Sequence, residues 1–148
     1  MILTTLAAAA GFDQEVATQA YLATLNGAAR AKSDAYFEGG YWLLLWGAVV
    51  TVLVAWVELR FGWSARWSAW AGRVTQRRWL RPALYALPFV LVTALLTLPW
   101  SIYTDFVREH QYGLSNQSFA QWSGDQLKGL LIQLIIFPLL LMAIFAVI

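Results

Sequence analysis

Residues 82–103 read PALYALPFVLVTALLTLPWSIY and contain no charged side chain. At a rise of about 1.5 Å per residue, a helix of that length reaches roughly 33 Å, enough to cross the hydrocarbon core of a bilayer. The stretches on either side pass the same test. Residues 41–59, YWLLLWGAVVTVLVAWVEL, carry one charge, Glu58, near their end, and residues 129–148, GLLIQLIIFPLLLMAIFAVI, carry none. One such helix can form the buried centre of a soluble domain, but three in 148 residues leave no polar elements to bury them. Composition agrees: 60% of residues are hydrophobic and 12% charged, against about 45–50% and about 25% in ordinary soluble domains. The fold class that follows is all-α, an integral membrane bundle with three transmembrane helices.

The loops set the orientation. Residues 60–81 carry six arginines, Arg60, Arg66, Arg73, Arg77, Arg78 and Arg81, and no acid. Residues 104–128 carry Arg108 and Lys128 against Asp105, Glu109 and Asp125. Positive-inside bias places the first loop in the cytoplasm and the N-terminus and second loop on the opposite, extracytoplasmic side. Within the first loop Trp63, Trp67, Trp70 and Val74 share a helical face, with Arg66, Arg73 and Arg77 along its edge. Indole rings favour the headgroup layer and arginines beside them snorkel to phosphates, so Arg66, Trp67, Trp70, Arg73, Arg77 and Arg78 are the expected lipid-interface residues. Aromatics interleaved with basic residues also grip single-stranded nucleic acid, but between two membrane spans the lipid bilayer is the expected partner and nucleic acid is not. Pro82 is placed to start the second span, where its missing N–H costs nothing.

The second loop reads as a helical hairpin. The second span can continue through Phe106 and Glu109 to Gly113, a natural residue for closing a helix, and Ser115 or Asn116 can cap the next. Pro88 and Pro138 lie inside their spans and are expected to kink them. Residues 1–40 form an extracytoplasmic N-terminal segment. There the apolar residues 1–10 read as a non-spanning lead, with a cleaved signal as second reading. Asp13 is expected to cap a weak helix running to about Lys32, and the Glu38–Gly40 run to break it before the first span. The third span stops at Ile148 without a polar anchor, glycine cap or basic flank, the pattern expected of a truncated chain.

Chemistry is sparse. There is no cysteine and one histidine, His110, so a metal site built from this segment alone is not expected. No His-Glu-x-x-His run, glycine-rich phosphate loop or Ser-His-Asp set is present. Glu109 and His110 are adjacent and so point about a hundred degrees apart on a helix, unlike ligands at i and i+4; the plain reading is a solvated juxtamembrane segment. Asp125 and Lys128, three apart, can pair near the membrane surface, an interaction worth about 0–1 kcal/mol that positions rather than stabilises. Glu58 is expected at the interface, paired with Arg60. Only Gln133 is strongly polar within the uncharged spans, which argues against a transporter or channel.

Read as a whole, the second loop runs Phe106-Val107-Arg108-Glu109-His110-Gln111-Tyr112-Gly113-Leu114-Ser115-Asn116, then Asp125-Gln126-Leu127-Lys128-Gly129. This resembles the N-terminal membrane region of the type 1 CAAX prenyl protease family, integral-membrane zinc endopeptidases of the a-factor-converting type. Their pattern is F-V-x-E, three residues, then G-F-N or a variant, with D-x-x-K-G beginning twelve residues after the glycine. Phe106, Val107, Glu109, Gly113, Asp125, Lys128 and Gly129 match without a gap, while Tyr112, Leu114, Ser115 and Asn116 stand where eukaryotic members commonly have His, Phe, Asn and Lys. The resemblance implies a seven-helix parent enclosing an intramembrane chamber, with zinc held by a later domain and a peptide as substrate. Phe106, Glu109, Gly113, Asp125, Lys128 and Gly129 would then fix the loop at the chamber mouth, none of them catalytic, and the segment alone would be inactive.

The leading expectation is therefore the membrane portion of a zinc metalloendopeptidase, partnered by a C-terminal zinc-peptidase domain, in a bacterial inner membrane rather than the endoplasmic reticulum. The alternative is a small non-enzymatic membrane scaffold or assembly protein. The topology is directly testable because the chain lacks cysteine. A cysteine placed at Ser115 should react with a membrane-impermeant maleimide added outside intact cells, and one at Ser68 only after lysis; the opposite pattern would invert the orientation.

Overall fold

The computed structural model describes residues 13–24 and 27–147, all of them in helices or the short turns between helices. In chain order the elements are α1 (Gln14–Thr24), α2 (Gly27–Arg60), α3 (Trp63–Val74), α4 (Arg81–Ser101), a π-helical segment (Ile102–Val107), α5 (Arg108–Gln111) and α6 (Phe119–Val147). Three continuous runs, Gly27–Arg60, Arg81–Gln111 and Phe119–Val147, are long and apolar enough to cross a membrane. The reading of residues 1–10 concerns a stretch outside the described residues.

The chain divides into two compact units, residues 1–41 and 42–148. In the first, Asp13 caps α1: its Oδ1 accepts hydrogen bonds from the Glu15 and Val16 amides at 2.9 and 3.2 Å, the side-chain cap that an aspartate supplies to a helix start. α1 ends at Thr24, short of Lys32. The expected break at Glu38–Gly40 is absent, since α2 runs unbroken through both glycines. Each glycine costs about 1 kcal/mol relative to alanine in a helix, and the neighbouring apolar stretch has nowhere but its own helix to place its backbone hydrogen bonds in lipid.

In the second unit, α4 is the element on which the others pack. From α2, Leu43, Gly47, Val50, Val54, Val57 and Glu58 are the shielded positions, a seam with alternating steps of four and three. A Cβ built on Gly47 would lie 3.8 Å from the Trp100 indole nitrogen, and the Thr93 hydroxyl donates to Glu58 Oε1 at 2.7 Å. After a turn at Gly62, whose φ of 66° is costly for any residue with a Cβ, α3 packs beside α4. Ser64 Oγ and the Tyr85 hydroxyl lie 2.9 Å apart, and Trp67 meets the rings of Tyr85 and Phe89 edge-on at 6.2 and 6.5 Å. Phe89 in turn stacks on Phe137 of α6 at 6.2 Å. A row of rings thus ties α3, α4 and α6 together.

This alters the reading of the arginine loop. Trp63 and Trp67 were expected on a face turned to lipid; instead Trp63 stacks on Phe61 at 5.6 Å, and Trp67 sits half-buried against α4. Trp70 and Val74 remain exposed. The reason is the small-residue strip beside the rings: Ala71 and Ala86, one on each helix, are 1% and 0% exposed, and residues that small let helices approach closely. The loop ahead of α4 is pinned by Arg81, which donates from Nε to the Thr75 carbonyl at 3.1 Å and from Nη2 to Gln76 Oε1 at 3.2 Å. Pro82 does stand in the first turn of α4, as its missing donor predicts.

Enlarging Ala86 tests the α3–α4 contact. Ala86→Leu should destabilise the protein by about 1–3 kcal/mol, the usual cost of overpacking, read as a lowered thermal transition in detergent; an unchanged transition would mean the two helices do not pack closely there.

Candidate functional site

The candidate site is the junction between the second and third spanning helices. α4 contains Pro88 and Pro99, and three residues after Pro99 the helix widens into the π-helical segment Ile102–Val107. Such widened turns occur mostly as local irregularities in α-helices, frequently at functional sites. α-Helical bonding resumes for one turn in α5 and stops at Gly113, whose φ of 70° is the left-handed close expected of it. The Leu114 amide donates to the Glu109 carbonyl at 2.8 Å and the Gly113 amide to His110 at 3.0 Å, satisfying carbonyls that the helix end leaves open.

The cap on the other side of the loop is not Ser115 or Asn116. Ser118 takes that role, its hydroxyl accepting from the Gln121 amide at 3.3 Å while Gln121 Oε1 accepts from the Ser118 amide at 2.8 Å. This reciprocal pair is a capping box, and the serine-x-x-glutamine spacing needed for it is legible at 118–121. Ser115 is used one step earlier, accepting from the Gln117 amide at 3.3 Å.

His110 joins the two halves. Its Nδ1 lies 2.7 Å from the Phe106 carbonyl oxygen and its Nε2 2.8 Å from the Gln117 carbonyl oxygen. Either neutral tautomer can donate to only one of these carbonyls, and the doubly protonated ring to both. The ring also sits 4.3 Å from that of Phe106, which meets Phe119 at 5.3 Å and Trp122 at 5.9 Å. From Gln117 the network continues outward: its side-chain amide donates to Asp125 Oδ2 at 2.9 Å, and Lys128 Nζ donates to Asp125 Oδ1 at 2.9 Å. Phe106, His110, Gln117, Asp125 and Lys128 therefore form one connected chain of contacts.

Of the residues singled out from the sequence, Phe106, Asp125 and Lys128 belong to this chain, Gly113 closes α5 beside it, and Glu109 is half-buried within α5. Gly129 follows directly in α6, where an added Cβ would meet nothing within 4 Å. Gln117 is the residue that the sequence reading passed over, and His110, read there as part of a solvated juxtamembrane segment, takes a tying role that the reading did not give it. Nothing in the local spacing marks them, because their partners are main-chain carbonyls and a side chain eight residues away. Arg108, only 8% exposed, lies over the Tyr112 ring at 5.4 Å.

On the opposite loop, Arg66, Arg73 and Arg78 are exposed and Arg77 sits 6.0 Å over the Trp79 ring. Glu58 is not paired with Arg60. The carboxylate is 5% exposed and takes its hydrogen bond from Thr93, because residues two apart on a helix face different ways.

The donor set does not suit a metal ion. Among the described residues no three histidine, cysteine or acidic side chains come together in a way that could hold one, and both nitrogens of His110 face carbonyls. No step involving a metal is derived from these residues.

The family model described as CAAX prenyl protease N-terminal, five membrane helices, matches residues 14–148. The chain belongs to this family. Its matched span takes in every described helix but one residue of the first cap, and the connected junction lies wholly inside it. No match was found among curated proteins or among solved structures.

The Asp125–Lys128 pair lies in the polar opening turns of α6, ahead of the uncharged stretch, and gives a readable signature. The hydrogen bond from Lys128, helped by its charge and by Gln117, holds the Asp125 carboxyl below its ordinary value. A carboxyl lowered on folding favours the folded state above its ordinary value, and the contribution disappears as pH falls through the lowered one. Lys128→Gln should therefore move the Asp125 titration upward, followed by carboxyl carbon NMR in micelles; a midpoint that stays put would remove Lys128 as its partner.

Proposed function

We propose that this chain is the N-terminal membrane portion of a zinc-dependent metalloendopeptidase that acts on membrane-associated or prenylated peptides. In this reading it forms part of the chamber wall, and a C-terminal zinc-peptidase domain supplies the catalytic centre. The observation that carries the reading is the family match over residues 14–148, within which Phe106 of the F-V-x-E run is linked through His110 and Gln117 to Asp125 and Lys128 of the D-x-x-K-G run. The role assigned to that junction is mechanical. It holds the ends of two spanning helices in register through Phe106, His110, Gln117 and Asp125, so that a peptide entering beside it meets a fixed rim. Glu109 and Gly113 fix the turn that aims this rim, and none of these groups is assigned to bond cleavage.

The remaining assignments follow from the same reading. The N-terminus and the junction are extracytoplasmic, in a bacterial inner membrane. Arg66, Arg73, Arg77 and Arg78, with Trp70, meet the cytoplasmic headgroups, where each basic side chain near an anionic surface contributes about 1 kcal/mol.

The test uses membranes expressing the complete reading frame that contains this segment, assayed with a fluorogenic prenylated peptide. Cleavage should be lost on chelation of divalent metal and restored by zinc. Gly113→Val, which forbids the left-handed close, should lower kcat/KM by about tenfold to a hundredfold, the scale of a small misplacement remote from the chemistry. Cleavage indifferent to chelator would remove the zinc assignment. Accumulation of a stable 148-residue product with no peptidase activity would favour the non-enzymatic scaffold.

A further inference from the structure

His110 is the one histidine of the chain, and it stands where the hairpin closes. The carbonyl beside its Nδ1, that of Phe106, belongs to the π-helical segment; the carbonyl beside its Nε2, that of Gln117, belongs to the loop ahead of α6. At 2.7 and 2.8 Å both separations are those of hydrogen bonds. A carbonyl oxygen only accepts, so both contacts are bonds at once only when each ring nitrogen carries a proton, which is the charged ring. In either neutral tautomer one nitrogen turns a lone pair toward a carbonyl oxygen at the same distance, and that contact repels. A charged ring here also lies 4.3 Å from the ring of Phe106, within cation–π range.

We propose that this junction is a proton-operated clasp: the doubly protonated imidazole ties the π-helical segment to the loop before α6, and loss of one proton frees one of the two. The other ionisable groups nearby do not share the task. The helical run of His110 carries Tyr103, Asp105, Arg108, Glu109 and Tyr112, and α6 brings Asp125 and Lys128, linked to the ring through Gln117. Carboxylic acids, phenols, lysine and arginine ordinarily hold one charge state across about pH 5–8, whereas an imidazole changes its charge within that window. Only the charged ring makes both bonds, so the hairpin is fastened at the acid end of the window and loosened at the alkaline end. The inference is independent of the peptidase reading, since it uses no residue of the zinc domain.

The test attaches a nitroxide through Asn116→Cys, an exposed loop position in a chain that has no cysteine, in nanodiscs of zwitterionic phosphatidylcholine. From about pH 5 to about pH 8 the ratio of mobile to immobile label should rise by about threefold to tenfold, the scale of one hydrogen bond lost. The midpoint should coincide with that of the single histidine, followed by its ring nitrogen NMR signals. His110→Gln, which has no proton to lose in this range, should show one constant ratio at unchanged helical circular dichroism. A label no more mobile at the higher pH, a rise that persists in His110→Gln, or a midpoint apart from that of the ring would each overturn the proposal. The first and last of these are read with His110 in place and need no variant at that position.

Discussion

Hydrocarbon contains no water, so every amide and carbonyl that enters it must find a partner within the protein. That constraint governs the architecture here more than any single side chain does. It keeps α2 continuous through Gly39 and Gly40, where a soluble chain would have turned. Among the described residues it confines the non-helical backbone to three places, the turn at Phe61–Gly62, the loop from Thr75 to Leu80 and the loop from Gly113 to Ser118, and at each of them freed groups are recaptured locally. Threonines in the spanning helices obey it too, with Thr51, Thr97 and Thr104 donating back to carbonyls one turn earlier. The same rule makes the Trp122 indole nitrogen conspicuous, since it is the buried side-chain atom left without a hydrogen-bond partner among the described residues.

What holds the helices to one another is less uniform. α3, α4 and α6 meet through rings, with Trp67, Tyr85, Phe89 and Phe137 forming a row whose members contact their neighbours edge-on or stacked. α2 meets α4 through small groups and one polar contact, Glu58 to Thr93. A carboxylate that is 5% exposed is expensive to bury, and a single hydroxyl is a modest return. The pair is better understood as fixing register, since a sliding motion of one residue would leave the acid with no donor at all.

Much of this was legible in the residues. The three spans are a matter of length and charge, and no tertiary knowledge is needed to find them. The stop at Gly113 and the Asp125–Lys128 pair follow from local rules of helix ends and helix faces. The readings that failed did so for identifiable reasons. The cap was placed at Ser115 or Asn116 because single residue preference was weighed ahead of the reciprocal Ser118–Gln121 spacing. Glu58 was assigned to Arg60 by proximity in sequence, although a helix turns such neighbours apart. Trp63 and Trp67 were given to lipid because amphipathic patterning does not say which apolar surroundings a ring will choose. The tie from His110 to Gln117 could not be read at all, since main-chain carbonyls carry no residue identity.

The widened stretch at Ile102–Val107 has a consequence for the geometry of everything after it. An extra residue in one turn rotates the following positions by about a hundred degrees relative to an uninterrupted α-helix. His110 reaches the Gln117 carbonyl from that rotated setting. Rewinding the same six residues as ordinary α-helix would swing the imidazole by about that angle around the axis, away from the loop it fastens, whereas losing one residue from the bulge would leave its direction almost unchanged. The bulge thus works as an angular spacer, and the hairpin depends on its pitch as much as on the side chains it presents.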